Sequence, residues 1–184
     1  HAVMYGPDGY LYWVMGNHTG VEPSLAPLSP HKDYYEGDLL PSYTDPRGHA
    51  SDIRAPGGTI KRKDLSDRDA QWELVAGGFR NEYDAAFNTL GELFTFDSDM
   101  EWDRGLPWFR PVRTVHVVPG GEYGWRTGSR KWPAYAPESL PPLSEVGRGS
   151  PTGVSVYKHH AYPREYDEAL FYADWSRGRI LVGF

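Results

Sequence analysis

Short apolar runs punctuated by Gly- and Pro-containing turns recur along the chain. Between residues 2 and 15, two such runs flank Gly6-Pro7-Asp8-Gly9. There proline presets one backbone angle and glycine permits the others, so the spacing predicts a hairpin. The pattern returns at residues 85–96, where Phe87, Leu93, Phe94 and Phe96 flank Thr89-Leu90-Gly91-Glu92. It returns again at 169–184, where Leu170, Phe171, Tyr172 and Ala173 precede Ser176-Arg177-Gly178-Arg179 and then Ile180, Leu181 and Val182. Three hairpins of one type are therefore expected, centred near Asp8, Leu90 and Arg177, each in its own sheet. Further strands are expected at 58–62, 72–76, 113–118, 123–126 and 153–157. A hairpin followed by two more strands, repeated, is the plan of a propeller blade. The hairpin centres lie 82 and 87 residues apart, against about 40–45 for a compact blade. Each interval thus holds either two blades or one blade with a long insertion.

Residues 21–52 are rich in Pro, Ser, Tyr and His without a sustained period, and they read as a loop over one face; residues 133–150 read as a second. Helical signal is confined to residues 64–74, a turn or two with Asp67 as cap, closed by Gly77-Gly78. Composition agrees: 21 Gly, 16 Pro and 15% aromatic residues favour many short strands. The fold class is all-β, a partial propeller of about three to four blades with long loop insertions.

Charge and cysteine content narrow the chemistry. A net charge of -6 with no run of like charges argues against a nucleic-acid partner. No apolar stretch approaches the roughly 20 residues of a membrane helix, and the first residues lack the features of a signal peptide. The absence of cysteine removes disulfides, thiolate metal sites and Cys nucleophiles from this stretch. Because His1 runs at once into a strand-like segment and Ile180-Leu181-Val182-Gly183-Phe184 reads as an unpaired strand, the chain is expected to be an internal piece of a longer one. Neither a nucleophile elbow nor a phosphate-binding loop nor a dinucleotide fingerprint occurs.

Five motifs in order resemble the soluble quinoprotein glucose/sorbosone dehydrogenase propellers: Gly6-Pro7-Asp8-Gly9, Gly58-Thr59-Ile60-Lys61-Arg62, Gly78-Phe79-Arg80-Asn81, Ala86-Phe87 to Gly91, and Gly121-Glu122-Tyr123-Gly124-Trp125. Phe79-Arg80-Asn81, Gly91-Glu92-Leu93-Phe94-Thr95, the run Asp97-Ser98-Asp99-Met100-Glu101-Trp102-Asp103, Trp108 and Asp174-Trp175 are similar to a planctomycete-type branch of membrane-bound dehydrogenase or haem-binding propellers. The resemblance implies that residues 1–184 form part of a single six-bladed propeller domain, extracytoplasmic or periplasmic. It also implies oxidation of a small sugar or related alcohol through pyrroloquinoline quinone (PQQ), with calcium nearby. A cytochrome c domain commonly lies further along such chains.

On that resemblance Arg80 and Asn81 face the central channel and bind PQQ, whose carboxylates suit a guanidinium fork and an amide. Read alone, the pair instead neutralises a carboxylate and shapes a turn. Asn17 stands where the sugar dehydrogenases carry an Asp that orients the catalytic His; an amide holds an imidazole without stabilising its charged form. The catalytic His is expected upstream of His1, with His1 and His18 as nearby candidates. Asp97, Asp99, Glu101 and Asp103 alternate, so in an extended segment they project to one side and form either a Ca²⁺ site or a solvated acidic loop. The resemblance's own calcium site uses a Gly-Pro step that this chain lacks. His116 reads as a structural residue on a half-buried strand, and His159-His160 as surface. Trp102, Trp108, Trp125, Trp132 and Trp175 serve either sugar stacking or packing between blades. Two functions stay open: a PQQ-dependent sugar dehydrogenase module, or a propeller that binds carbohydrate or protein without chemistry.

Overall fold

The computed structural model describes residues 1–32, 50, 53–98, 101–103, 106–108, 110–127, 131–133 and 135–184, with only the backbone of 101–103 and 106–108. The Gly6-Pro7-Asp8-Gly9 turn joins strands β1 (Val3–Tyr5) and β2 (Leu11–Met15). Strands β3 (Gly58–Lys63) and β4 (Glu73–Phe79) complete a four-stranded antiparallel meander in the order β1-β2-β3-β4. A second sheet follows, with β5 (Ala85–Phe87), β6 (Leu93–Asp97), β9 (Arg113–Val117) and β10 (Ser144–Glu145). The small hairpin β7 (Glu101–Asp103) and β8 (Leu106–Trp108) is inserted between β6 and β9. The third sheet is β11 (Pro151–Val156), β12 (Leu170–Asp174) and β13 (Arg179–Gly183).

Alternation decides which side chains join the sheets. Tyr12 and Val14 on β2, Ile60 on β3 and Val75, Ala76 and Phe79 on β4 pack with Ala85, Leu93, Val115 and Val117 of the second sheet. Tyr12 meets Phe87 edge-on at 5.0 Å between ring centroids. The second and third sheets meet through Phe96, Val112, Val154 and Tyr172, and the Val154 N–H donates to Asp84 Oδ2 at 3.0 Å. Three sheets that pack face to face in chain order, each an antiparallel meander, make a partial β-propeller.

The strand expected at 123–126 does not form, and residues 120–125 take another course. They run parallel to β4 through a single bridge between Gly77 and Glu122, with Tyr123 N–H donating to Gly77 O and Trp125 N–H to Gly78 O, both at 2.9 Å. Tyr123 stacks on Phe79 at 4.6 Å. Close approach of the two backbones is possible because Gly78 has no side chain and adopts φ +81°.

Two other expectations are corrected. No helix forms at 64–74; Asp64 and Asp67 instead accept the N–H groups two residues on, from Ser66 and Asp69, as turn-making Asp side chains do. The Arg177 hairpin is not equivalent to the other two. Asp8 and Leu90 lie in turns between first and second strands of their sheets, whereas Arg177 lies between the second and third. An apolar run, a turn and another apolar run describe any antiparallel pair, so the pattern carries no information on position within a sheet. Of the two loops, 133–150 carries the short β10, and most of 21–52 lies outside the described residues. Among the described residues no helix is long and apolar enough to cross a membrane.

This difference in position has a consequence for function. Because neighbouring strands are antiparallel, successive connections leave the sheets at opposite edges. One edge gathers the β1–β2, β5–β6 and β11–β12 connections: a Cβ on Gly91 would lie 3.5 Å from Pro7, and Thr89 N–H donates to Glu168 at 3.0 Å. The other edge gathers the β2–β3, β4–β5, β6–β9, β10–β11 and β12–β13 connections, and with them Asn17, His18, Arg80, Asn81 and Trp175, with Asp97 beside them at the end of β6.

Candidate functional site

Arg80 and Asn81 open the β4–β5 connection, and their backbone is held from below by Asp97, the last residue of β6. Asp97 Oδ1 accepts the N–H of Asn81 at 2.9 Å and of Arg80 at 3.2 Å. Its Oδ2 accepts Arg113 Nη2 at 2.9 Å and Nε at 3.3 Å. The Arg113 guanidinium also donates to Tyr123 O at 2.8 Å and Gly78 O at 3.3 Å. Both side chains are buried, Asp97 fully. A buried carboxylate with charge-assisted partners on each oxygen is a rigid strut, so Asp97 positions the Arg80-Asn81 backbone.

That role differs from the calcium ligand expected of Asp97. Asp99 and the side chains of Glu101 and Asp103 lie outside the described residues. Among the described residues no group of three or more His, Asp or Glu side chains converges to hold a metal ion.

Asn17 meets the same strut from the neighbouring connection: its N–H donates to Arg80 O at 2.8 Å. Its side chain is buried, and Nδ2 has no hydrogen-bond partner. Asn17 and His18 line a cleft of about 320 Å³ with Pro56 and Gly57, whereas Arg80 and Asn81 line a larger one of about 950 Å³. The two clefts flank the Asn17–Arg80 junction.

His1 stands closer to this junction than its sequence position suggested. Its Nδ1 lies 2.7 Å from Glu82 O; because a carbonyl only accepts, Nδ1 carries a proton, and Nε2 is the nitrogen left to gain or lose one. A Cβ on Gly16 would sit 3.1 Å from that Nε2 and 3.2 Å from Asn81 Oδ1. The imidazole and the Asn81 amide therefore both border Gly16, where an added side chain would collide with the ring. Asn17 does not hold this ring; the Glu82 carbonyl does.

Glu82 itself escaped notice in the sequence. It is fully buried, and neither carboxyl oxygen has a hydrogen-bond partner. Burial first, then the charge of Asp97, push its pKa well above the usual 4.5, with Arg113 opposing.

The larger cleft is lined by residues of four connections on the same edge: Arg80, Asn81 and Tyr83; Ser98, Arg110 and Val112; residues 148–152; and Trp175, Ser176 and Arg177. Arg177 Nε donates to Arg148 O at 3.2 Å. Beneath them lies Asp174, paired with Arg179 at 2.9 Å. Burial opposes its charge, but Ser150 N–H, Arg179 and the Ser176 hydroxyl together hold its pKa below the ordinary carboxylate range. No local motif marks Arg110, Arg148 or Arg177; their shared signal is that each sits on a connection leaving the same edge.

The remaining candidates lie elsewhere or do structural work. His116 lies 2.5 Å from Glu92 and stacks on Phe94, on the opposite edge. His159 and His160 stack on each other in the β11–β12 connection. Trp125 is buried against Gly57, and Trp132 is buried under the Arg126 guanidinium at 4.1 Å. Trp175, 72% exposed, is the indole at the cleft.

No protein-family model matches the sequence, and no curated protein matches it. Solved structures do. The PQQ-bound form of aldose sugar dehydrogenase from Streptomyces coelicolor superposes with a TM-score of 0.52 at 17% identity, over 97% of this chain and 42% of that one. A crystal structure of a glucose dehydrogenase gives 0.61 at 15% identity, over 98% of this chain and 49% of that one. A further glucose dehydrogenase gives 0.59 at 17% identity, over 98% and 48%. The chain spans less than half the length of these structures. At such identities the likeness shows the fold, a partial β-propeller of the architecture those dehydrogenases use.

Proposed function

We infer that this chain is part of a PQQ-dependent dehydrogenase propeller acting on a sugar or related alcohol. The observation that carries the reading is the Arg80-Asn81 pair, fixed by Asp97 at the wall of a cleft of about 950 Å³, at the upper end of ligand-site volumes. A propeller of the same architecture is known in a PQQ-bound state.

The donor set fits the cofactor's chemistry. Guanidinium and amide donors suit a polycarboxylate, and the Asn17 amide beside them is a buried donor with no partner. Arg80 and Asn81 would hold the cofactor. Bound there, its ortho-quinone would accept the two electrons and the hydrogen that a CH–OH carbon gives up on oxidation. His1 supplies a proton acceptor at Nε2, oriented by the Glu82 carbonyl. Burial raises the pKa of Glu82 and so disfavours a competing negative charge beneath the site.

Titrating the intact protein with PQQ, with and without Ca²⁺, and following the quinone absorbance tests this reading. Tight binding that Arg80→Ala weakens by about a hundredfold, the loss of a charged contact of roughly 3 kcal/mol, supports it. Absence of binding at micromolar PQQ overturns it. One observation favours a second reading, a carbohydrate- or protein-binding propeller without chemistry. Asn17 replaces the expected acid, so no carboxylate from that position stabilises a charged imidazole. Sugar binding without PQQ binding or dye reduction would select that alternative.

A further inference from the structure

We propose that Ser150 is a second contact for the ligand of the larger cleft, contributed by the sheet next to that of Asn81, and that Asp174 is the residue that positions it. The inference deepens the reading above and rests on it only in that the cleft takes a ligand.

The strut under Arg80 and Asn81 is built twice in this chain. Asp97 ends β6 and faces Arg113, the first residue of β9; Asp174 ends β12 and faces Arg179, the first residue of β13. Both ion pairs measure 2.9 Å, and both carboxylates are fully buried. Each carboxylate also accepts backbone N–H from the connection that enters its own sheet. Asp97 takes those of Arg80 and Asn81, and Asp174 takes that of Ser150 at 2.8 Å. The strands repeat in sequence too, Leu93-Phe94-Thr95-Phe96-Asp97 against Leu170-Phe171-Tyr172-Ala173-Asp174. By this correspondence Ser150 takes the place of the Arg80-Asn81 step.

The first sheet shows that such a strut is not needed to build a sheet of this kind. Its second strand ends in Met15, which faces Thr59, with neither acid nor arginine. Among the described residues its β2–β3 connection contributes nothing to the larger cleft, whereas the connections beside both struts line it. The strut therefore accompanies the cleft and not the sheet.

Ser150 is fixed on both sides, its N–H by Asp174 and its carbonyl by Trp175 N–H at 3.2 Å. Gly149 lets the carboxylate in, since a Cβ there would come within 2.6 Å of Asp174 Oδ2. The Ser150 hydroxyl lines the cleft and makes no hydrogen bond to the protein. A hydroxyl both donates and accepts, and on a fixed backbone it loses little freedom when it pairs with a ligand oxygen.

Calorimetric titration of the intact protein with PQQ in the presence of Ca²⁺, and separately with glucose, tests this assignment. Ser150→Ala keeps the N–H that Asp174 holds, so Tm should stay at the parent value while affinity falls about fivefold, the loss of one neutral hydrogen bond. Asp174→Asn should weaken the same ligand, and Ser150→Ala added to it should bring no further loss, because a displaced hydroxyl has no bond left to lose. An Asp174 that only stabilises the fold gives additive losses instead. If Asp174→Asn fails to fold, Ser150→Ala alone decides. Parent-like affinity in Ser150→Ala, or additive losses in the double variant, overturns the inference and leaves the PQQ reading standing. If glucose binds, PQQ does not, and Ser150→Ala weakens glucose about fivefold, the cofactor reading falls and this one stands. If the parent binds neither, both fall.

Discussion

Asp97 and Arg113 form a buried ion pair 2.9 Å across, and the acid of that pair also carries the backbone of the Arg80-Asn81 step. Stability and site geometry therefore share one carboxylate. Removing it leaves the Arg113 charge uncompensated in the interior. Asp97→Asn should cost about 3–5 kcal/mol of unfolding free energy by urea titration, and PQQ affinity should fall in the same variant. Asp97→Asn combined with Arg113→Met should be less destabilised than the sum of the two singles, because the orphaned charge is then gone.

Glu82 makes stability fall with rising pH. Its folded pKa lies above the unfolded value of about 4.3, so the folded chain keeps a proton that the unfolded chain releases. The contribution is complete below about pH 4.3 and is lost progressively as pH rises toward the folded pKa, with a slope of at most about 1.4 kcal/mol per pH unit. Unfolding free energies measured from about pH 5 to about pH 8 should decline less in Glu82→Gln than in the parent. Parallel curves would contradict the assignment.

Gly78→Ala should be among the most damaging single changes. The added Cβ would meet Glu122 Oε1 and the backbone nitrogens of Tyr123 at 2.5 Å and Gly124 at 2.6 Å, at φ +81°. Overlap with backbone in a left-handed conformation costs about 3 kcal/mol or more. Circular dichroism melting should show a markedly lowered Tm or no cooperative transition.

The Tyr123 hydroxyl accepts Val118 N–H at 3.0 Å and donates to His116 O at 2.5 Å, and burial raises its pKa to about 12. Tyr123→Phe keeps the stack on Phe79 and removes both bonds, so a loss of about 1–3 kcal/mol in urea unfolding is expected. The proposed cofactor cleft should be unaffected, since Arg113 reaches the Tyr123 carbonyl and not its ring.

Local pattern alone determined the strands, because period-two alternation and turn residues act over a few positions. The Asp8 and Leu90 hairpins, β3, β4, β9 and β11 were legible in that way, whereas the Arg80-Asn81 pair stood out only through the resemblance of its motif. Where a connection emerges was not legible. The Arg177 turn resembles the Asp8 turn in sequence, yet it opens on the opposite edge because it follows a second strand and not a first. Edge assignment depends on sheet order, which only pairing partners distant in sequence establish. For the same reason the acidic run read as one set of side chains, a ligand group or a solvated loop, while packing drew Asp97 inward to Arg113, 16 residues away. The sequence thus carried the propeller and its chemical vocabulary. Tertiary structure decided which carboxylate is a strut, which histidine is held by the Glu82 carbonyl, and that four arginines scattered from 80 to 177 line one cleft, since antiparallel strands bring alternate connections together however far apart they lie along the chain.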